Sequence, residues 1–233
     1  MKIFKLNLSL IAIVALILLS TISYAQNTIY SQDNLGTFFD LKEKKYNKKL
    51  LGNNYVSDEW QLADIVLIGD TVEFRNIEIK LDVSNRVIEI KAGDQTKLLS
   101  STQAKTITVK GYTPTFYVTR VGTGLYGPSG FYKVLYEGDE KLLCHYSTRI
   151  EPSHYNEALN AGQKDDKIIK VETFYISKLD KLVPLELKKS KLADQLGGGE
   201  SLLKYMKEEG LSPKKEIDLI KIVQYADKLN ASN

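Results

Sequence analysis

The sequence predicts a mainly β chain with α structure at its end: an antiparallel meander, curled toward a barrel or a sandwich, followed by a C-terminal helical segment. Three observations carry that expectation. Apolar and polar residues alternate at a two-residue period through the middle of the chain, Gly, Asp and Asn turn pairs punctuate the alternation, and beyond Pro184 the apolar period becomes helical. The composition agrees, because 43% hydrophobic and 26% charged residues with five prolines exclude collagen-like, disordered and disulfide-framework classes.

Residues 1–25 read as a signal peptide. Lys2 and Lys5 give a basic start, residues 6–22 are almost wholly apolar, and Ser23-Tyr24-Ala25 presents small residues at the two positions a signal peptidase reads. Cleavage is expected between Ala25 and Gln26. A membrane-spanning helix needs about 20 apolar residues, and this run is interrupted by Asn7, Ser9 and Ser20. No integral span is therefore expected after signal removal, and no cysteine stands at the cut to take a lipid. The formal charge of +3 falls to +1 once Lys2 and Lys5 are gone, which gives no electrostatic reason to expect nucleic acid as a partner. The expected destination is the periplasm, the outer membrane's surroundings or the cell surface.

Residues 26–53 are expected to form a loosely attached N-terminal arm or short edge elements, since periodicity is weak around the basic run from Lys42 to Lys49. Residues 54–185 read as the antiparallel β domain. Ile77, Ile79, Leu81 and Val83 share one face of a strand, with Glu78, Lys80 and Asp82 on the other. Ser84-Asn85 turns the chain into a strand over 87–91, and Gly93-Asp94 turns it again. Further strands are expected over 65–68, 71–74, 106–109, 115–121, 131–136, 141–146, 168–176 and 181–185, about eight to ten short strands in all, a number that curls or splits a sheet. The polar stretch 147–166 is expected to be irregular.

Residues 186–233 are expected to be helices packed on that sheet. Leu187, Leu192 and Leu196 run to a stop at Gly197-Gly198-Gly199, residues 201–209 form a short helix closed by Gly210, and Ser212-Pro213 reads as an N-cap with proline at the first helical position. Ile217, Leu219, Ile220, Ile222, Val223 and Ala226 then make a broad apolar stripe.

Several of these stretches together, namely the alanine-type signal, Asp58-Glu59-Trp60, Gly69-Asp70, the 77–91 hairpin, Phe131 to Gly138 with Leu142-Leu143, and the lysine-rich helical tail, resemble a group of secreted proteins of Bacteroidota-type Gram-negative bacteria. The resemblance covers most of the chain after the signal. That group has no assigned activity, so the resemblance implies an envelope location and membership of a surface or periplasmic assembly, and no catalytic residue.

Cys144 is the one cysteine and the histidines are His145 and His154. Adjacent strand residues point to opposite faces, so Cys144 and His145 are not expected to form a catalytic or metal-binding pair, and the cysteine is expected to be buried and inert. Asp165-Asp166 is flanked by Lys164 and Lys167 and lacks the alternating oxygen residues of a calcium loop. The glycine-rich loop over 122–130 lacks the Gly-Lys-Ser/Thr ending of a phosphate cradle and reads as a mobile hairpin loop with positive-φ positions. No cofactor, metal or catalytic residue is assigned.

Aromatic density around that loop makes Tyr112, Tyr117, Tyr126, Tyr132 and Tyr136 the candidate binding residues, because a tyrosine ring is apolar while its hydroxyl stays wet. The expected function is that of a non-catalytic exported envelope protein that binds another envelope protein or a small apolar ligand, or serves as an assembly component. The competing expectation is a hydrolase built on carboxylates of the 147–166 stretch, which leave no local signature.

Overall fold

The computed structural model describes residues 50–69 and 73–231. The signal peptide, the arm as far as Lys49, and the turn and strand start at Asp70 and Thr71 lie outside the described residues. The strands are β1 (Leu50–Leu51), β2 (Gln61–Leu67), β3 (Glu73–Asp82), β4 (Val87–Ala92), β5 (Gln95–Ser100), β6 (Ala104–Val109), β7 (Thr115–Thr119), β8 (Phe131–Glu137), β9 (Lys141–Glu151), β10 (Asp166–Lys178) and β11 (Lys181–Pro184). A single helical turn, α1 (Arg120–Thr123), follows β7, and α2 (Lys189–Gln195), α3 (Gly199–Glu208) and α4 (Glu216–Asn230) follow the last strand. The chain is thus mainly antiparallel β with helices at its C-terminal end.

All eleven strands belong to one open sheet, in the order β5-β4-β3-β2-β6-β7-β8-β9-β10. The far edge of β10 carries both β1, which is parallel, and β11, which is antiparallel. From β2 onward, hairpin connections account for the path except at β5 to β6. Those two strands are joined by only Ser101, Thr102 and Gln103, yet β4, β3 and β2 lie between them in the sheet. So short a link forces the first half of the sheet to curl until the end of β5 meets the start of β6. Gln103 N–H donates to the Ser100 carbonyl at 3.0 Å and Ser101 N–H to the Arg86 carbonyl at 2.9 Å, which hold the corner.

The curl wraps the first core. Ile65, Ile79, Leu81, Ile88, Ile90, Leu99 and Ile107 each expose 1% or less of their surface there, the inward set that the two-residue alternation marks. Strand β5 was not evident in the sequence: of Gln95 to Ser100 only Leu99 is buried, so the strand has almost no apolar alternation of its own. It exists because its backbone completes the ladder of β4.

In the second half of the sheet, the helices cover the same face. Leu142, Cys144, Phe174 and Ile176 of the sheet pack with Leu192, Leu202, Met206, Leu219, Ile222 and Val223 of α2, α3 and α4 in a second core. Leu219, Ile222, Val223 and Ala226 follow helical spacing and are buried, whereas Ile217 is 70% exposed and Ile220 is half-buried. The stripe is therefore narrower than the count of apolar residues suggests. Helix α4 also begins later than Ser212-Pro213. Lys215 is its extended N-cap, Lys215 N–H donates to the Ser212 carbonyl at 3.0 Å, and Ser212 N–H donates to Asp218 at 3.1 Å. The Ser-Pro pair makes a turn in front of the helix, where the fixed φ of proline serves equally well. A Lys133–Glu216 ion pair at 2.7 Å ties the first turn of α4 to β8.

The polar 147–166 stretch is less irregular than expected. Strand β9 continues to Glu151 and β10 starts at Asp166, so Ile150 pairs with Ile168 and Thr148 with Lys170 in a long two-stranded ribbon.

Candidate binding pocket

Strand alternation sends Tyr132, Leu143, His145 and Tyr175 to the face opposite the helices. Tyr132, Leu143 and Tyr175 form a third, small core there with Leu182 of β11, and Leu125 of the glycine-rich loop packs against it. Three of these rings form a compact floor: Tyr132 and His145 lie 4.7 Å apart, and Tyr175 stands edge-on to both at 6.0 Å.

The loop over 122–130 lies on that floor and is pinned to it. Tyr132 hydroxyl donates to the Pro128 carbonyl at 2.5 Å, and His145 Nε2 meets the Ser129 carbonyl at 3.2 Å. Tyr126 N–H donates to the Asp180 carbonyl at 2.9 Å, and the Tyr126 carbonyl accepts from Leu182 N–H at 2.8 Å. These four bonds tie the loop to the sheet and satisfy backbone groups that would otherwise be left to water. Its positive-φ positions are real, with Gly124 at 69° and Gly130 at 134°. At its start, Gly122 approaches β6 so closely that a Cβ built on it would stand 1.9 Å from the Lys105 carbonyl oxygen, a space only glycine fits.

Arg120, Gly124, Leu125 and Tyr126 line a shallow pocket of about 260 Å³ at this loop. Tyr126 is 73% exposed although its backbone is fixed on both sides. Arg120 is half-buried and forms no ion pair among the described residues. Its charge reaches the Tyr132 phenol, where burial raises the pKa and the guanidinium pulls the other way. Arg120 was not singled out in the sequence: an arginine at the end of an apolar strand carries no motif.

The five candidate tyrosines do not form one patch. Tyr126 lines the pocket, and Tyr132 is fully buried beneath the loop. Tyr112 is wholly exposed at the turn between β6 and β7. Tyr117 is 6% exposed within the first core, and burial lifts its phenol to about 12. Tyr136 packs toward the second core, and its hydroxyl is engaged by the Asp227 carboxylate of α4, which raises its pKa.

Cys144 and His145 separate across the sheet, the thiol into the second core and the imidazole under the loop. Burial, reinforced by the carboxylates of Glu172 and Glu216, pushes the Cys144 thiol up to about 12, so it carries little thiolate at neutral pH. Burial lowers the His145 pKa, opposed by its bond to the Ser129 carbonyl. In the 147–166 stretch, Asp166 Oδ1 accepts Ser153 N–H at 2.8 Å and Lys164 Nζ lies 4.6 Å over the Tyr155 ring. These polar groups close their own loop. Among the described residues no group of three or more His, Cys, Asp or Glu side chains is placed to hold a metal ion, and no helix is long and apolar enough to cross a membrane.

No family model, curated protein or solved structure matches this chain.

Proposed function

We propose that this chain is an exported, non-catalytic envelope protein that holds a partner or a small ligand at the loop face around Tyr126. The observation that carries this reading is the treatment of one side chain: an aromatic ring left 73% exposed on a backbone anchored at both its N–H and its carbonyl. With the backbone already anchored, only the two side-chain torsions of the ring are left to order when something covers it, which lowers the entropic cost of binding. The chemistry of the lining points the same way, because Arg120, Gly124, Leu125 and Tyr126 include no carboxylate, imidazole or thiol to act as base or nucleophile. Export is supported by the tripartite N-terminal segment ending in Ser23-Tyr24-Ala25, and the resemblance to secreted proteins supports an envelope destination.

The test compares Tyr126→Ala with Tyr112→Ala, both at exposed positions, in co-purification from envelope extracts. Wild type and Tyr112→Ala are expected to retain the same partner or ligand and Tyr126→Ala to lose it, with the purified chain beginning at Gln26 by mass spectrometry. Full retention by Tyr126→Ala, or a hydrolytic activity that Tyr126→Ala leaves intact, overturns the reading.

A further inference from the structure

We infer that the Tyr126 pocket takes an oxyanion, a carboxylate or a phosphate, carried on a small flat or apolar body. This rests on the binding reading above and specifies its ligand. Arg120 is half-buried and has no ion pair among the described residues. Removing a charge from water without a partner is costly, and a planar fork of N–H donors matches a carboxylate or phosphate with two parallel hydrogen bonds.

The surroundings leave that role to Arg120. The turn that anchors Tyr126 brings one charge of each sign, Asp180 and Lys181, so arginine sets the sign at the pocket. A Cβ built on Gly124 would meet nothing within 4 Å, so the pocket is open where Gly124 lines it. Leu125 and the Tyr126 ring supply the apolar wall, and a ring face tolerates any flat body laid on it. Size narrows the class further. At about 260 Å³ the pocket falls short of the roughly 300–1,000 Å³ that drug-sized ligands occupy, so it suits a small acid or the anionic end of a larger molecule.

The experiment titrates the purified exported chain, isotopically labelled, with benzoate, phenyl phosphate and benzamide while following backbone amide signals. Benzoate, phenyl phosphate or both are expected to shift Gly124, Leu125 and Tyr126 saturably, with benzamide, neutral and similar in shape, at least about ten-fold weaker. The tighter of the two anions identifies the carboxylate or the phosphate as the natural group. Arg120→Gln should remove the preference for the anion, and Arg120→Lys should restore it in part. Benzamide binding as tightly as the anions overturns the oxyanion assignment while leaving the binding reading in place. Anions that shift amides elsewhere but not on the loop, or that shift none at about 10 mM, also overturn it, and the co-purification of Tyr126→Ala then decides the binding reading separately.

Discussion

Ile222 and Ile217 lie on the same helix, and the sequence marks both as apolar, but α4 buries the first completely and leaves the second 70% exposed. Truncating each to alanine separates packing from composition. Ile222→Ala removes three carbons from the second core, a transfer loss of about 2.4 kcal/mol at about 0.8 kcal/mol for each. The space left between Leu219, Met206 and the sheet adds a cavity term, so about 3–4 kcal/mol in total is expected. For a folded unit of this size each kcal/mol moves the melting temperature by about 2–4 °C, which places the Ile222→Ala transition about 10 °C lower. Ile217→Ala should stay within about 2 °C of wild type, because surface substitutions usually cost under about 0.5 kcal/mol. Alanine favours helix over isoleucine equally at both sites, so the difference between the variants isolates burial. Circular dichroism melts and urea titrations measure it, with an unchanged urea slope as the check on two-state behaviour. Equal shifts in the two variants would refute the packing of α4 on the sheet.

Two further outcomes follow from the loop face. Burial holds the folded His145 imidazole below its unfolded value of 6.5, so the unfolded chain binds more protons as pH falls and stability is lost in acid. The urea midpoint should be lower at pH 5 than at pH 7.5, and His145→Gln should flatten that dependence; an equal slope in wild type and variant would contradict the assignment. Gly122→Ala forces a Cβ against the Lys105 carbonyl, where backbone and not a flexible side chain must yield, so a loss of about 1–3 kcal/mol is expected. Faster hydrogen exchange at the Tyr126 amide should accompany it, and an unchanged melting temperature would show that the close approach does not exist.

The parts of the fold that were legible in the sequence are those where one face is buried and the other wet. Ile77, Ile79, Leu81 and Val83 are all buried, as their spacing requires, and the glycines at 197 and 210 do end helices. What escaped was decided by partners distant in sequence. Strand β5 has a single buried apolar residue, and its place comes from the ladder of β4. Helix α4 starts at Glu216 because Ser212 and Asp218 close a turn ahead of it, and Ile217 is exposed although it looks like its neighbours. At the pocket, Tyr126 could be named from local aromatic density. Arg120 could not, because its significance depends on a loop held by Asp180 and Leu182 more than 50 positions away.

That dependence makes the loop face the part of the fold that rests on the most distant contacts. Strands β2 to β5 pair with neighbours close in sequence, and β2 takes β6 on its second edge. The loop that carries Tyr126 depends on strands much further along the chain. Its floor requires β9 and β10 to bring His145 and Tyr175 together, and its clamps come from the turn at Asp180 and from Leu182. A chain emerging N-terminus first through an export channel would therefore present Arg120 and Tyr126 to the outside well before anything held them in place. A product truncated ahead of β11 would carry Arg120 and Tyr126 but lack the Leu182 N–H that clamps the loop, so under the proposed function it is expected not to bind.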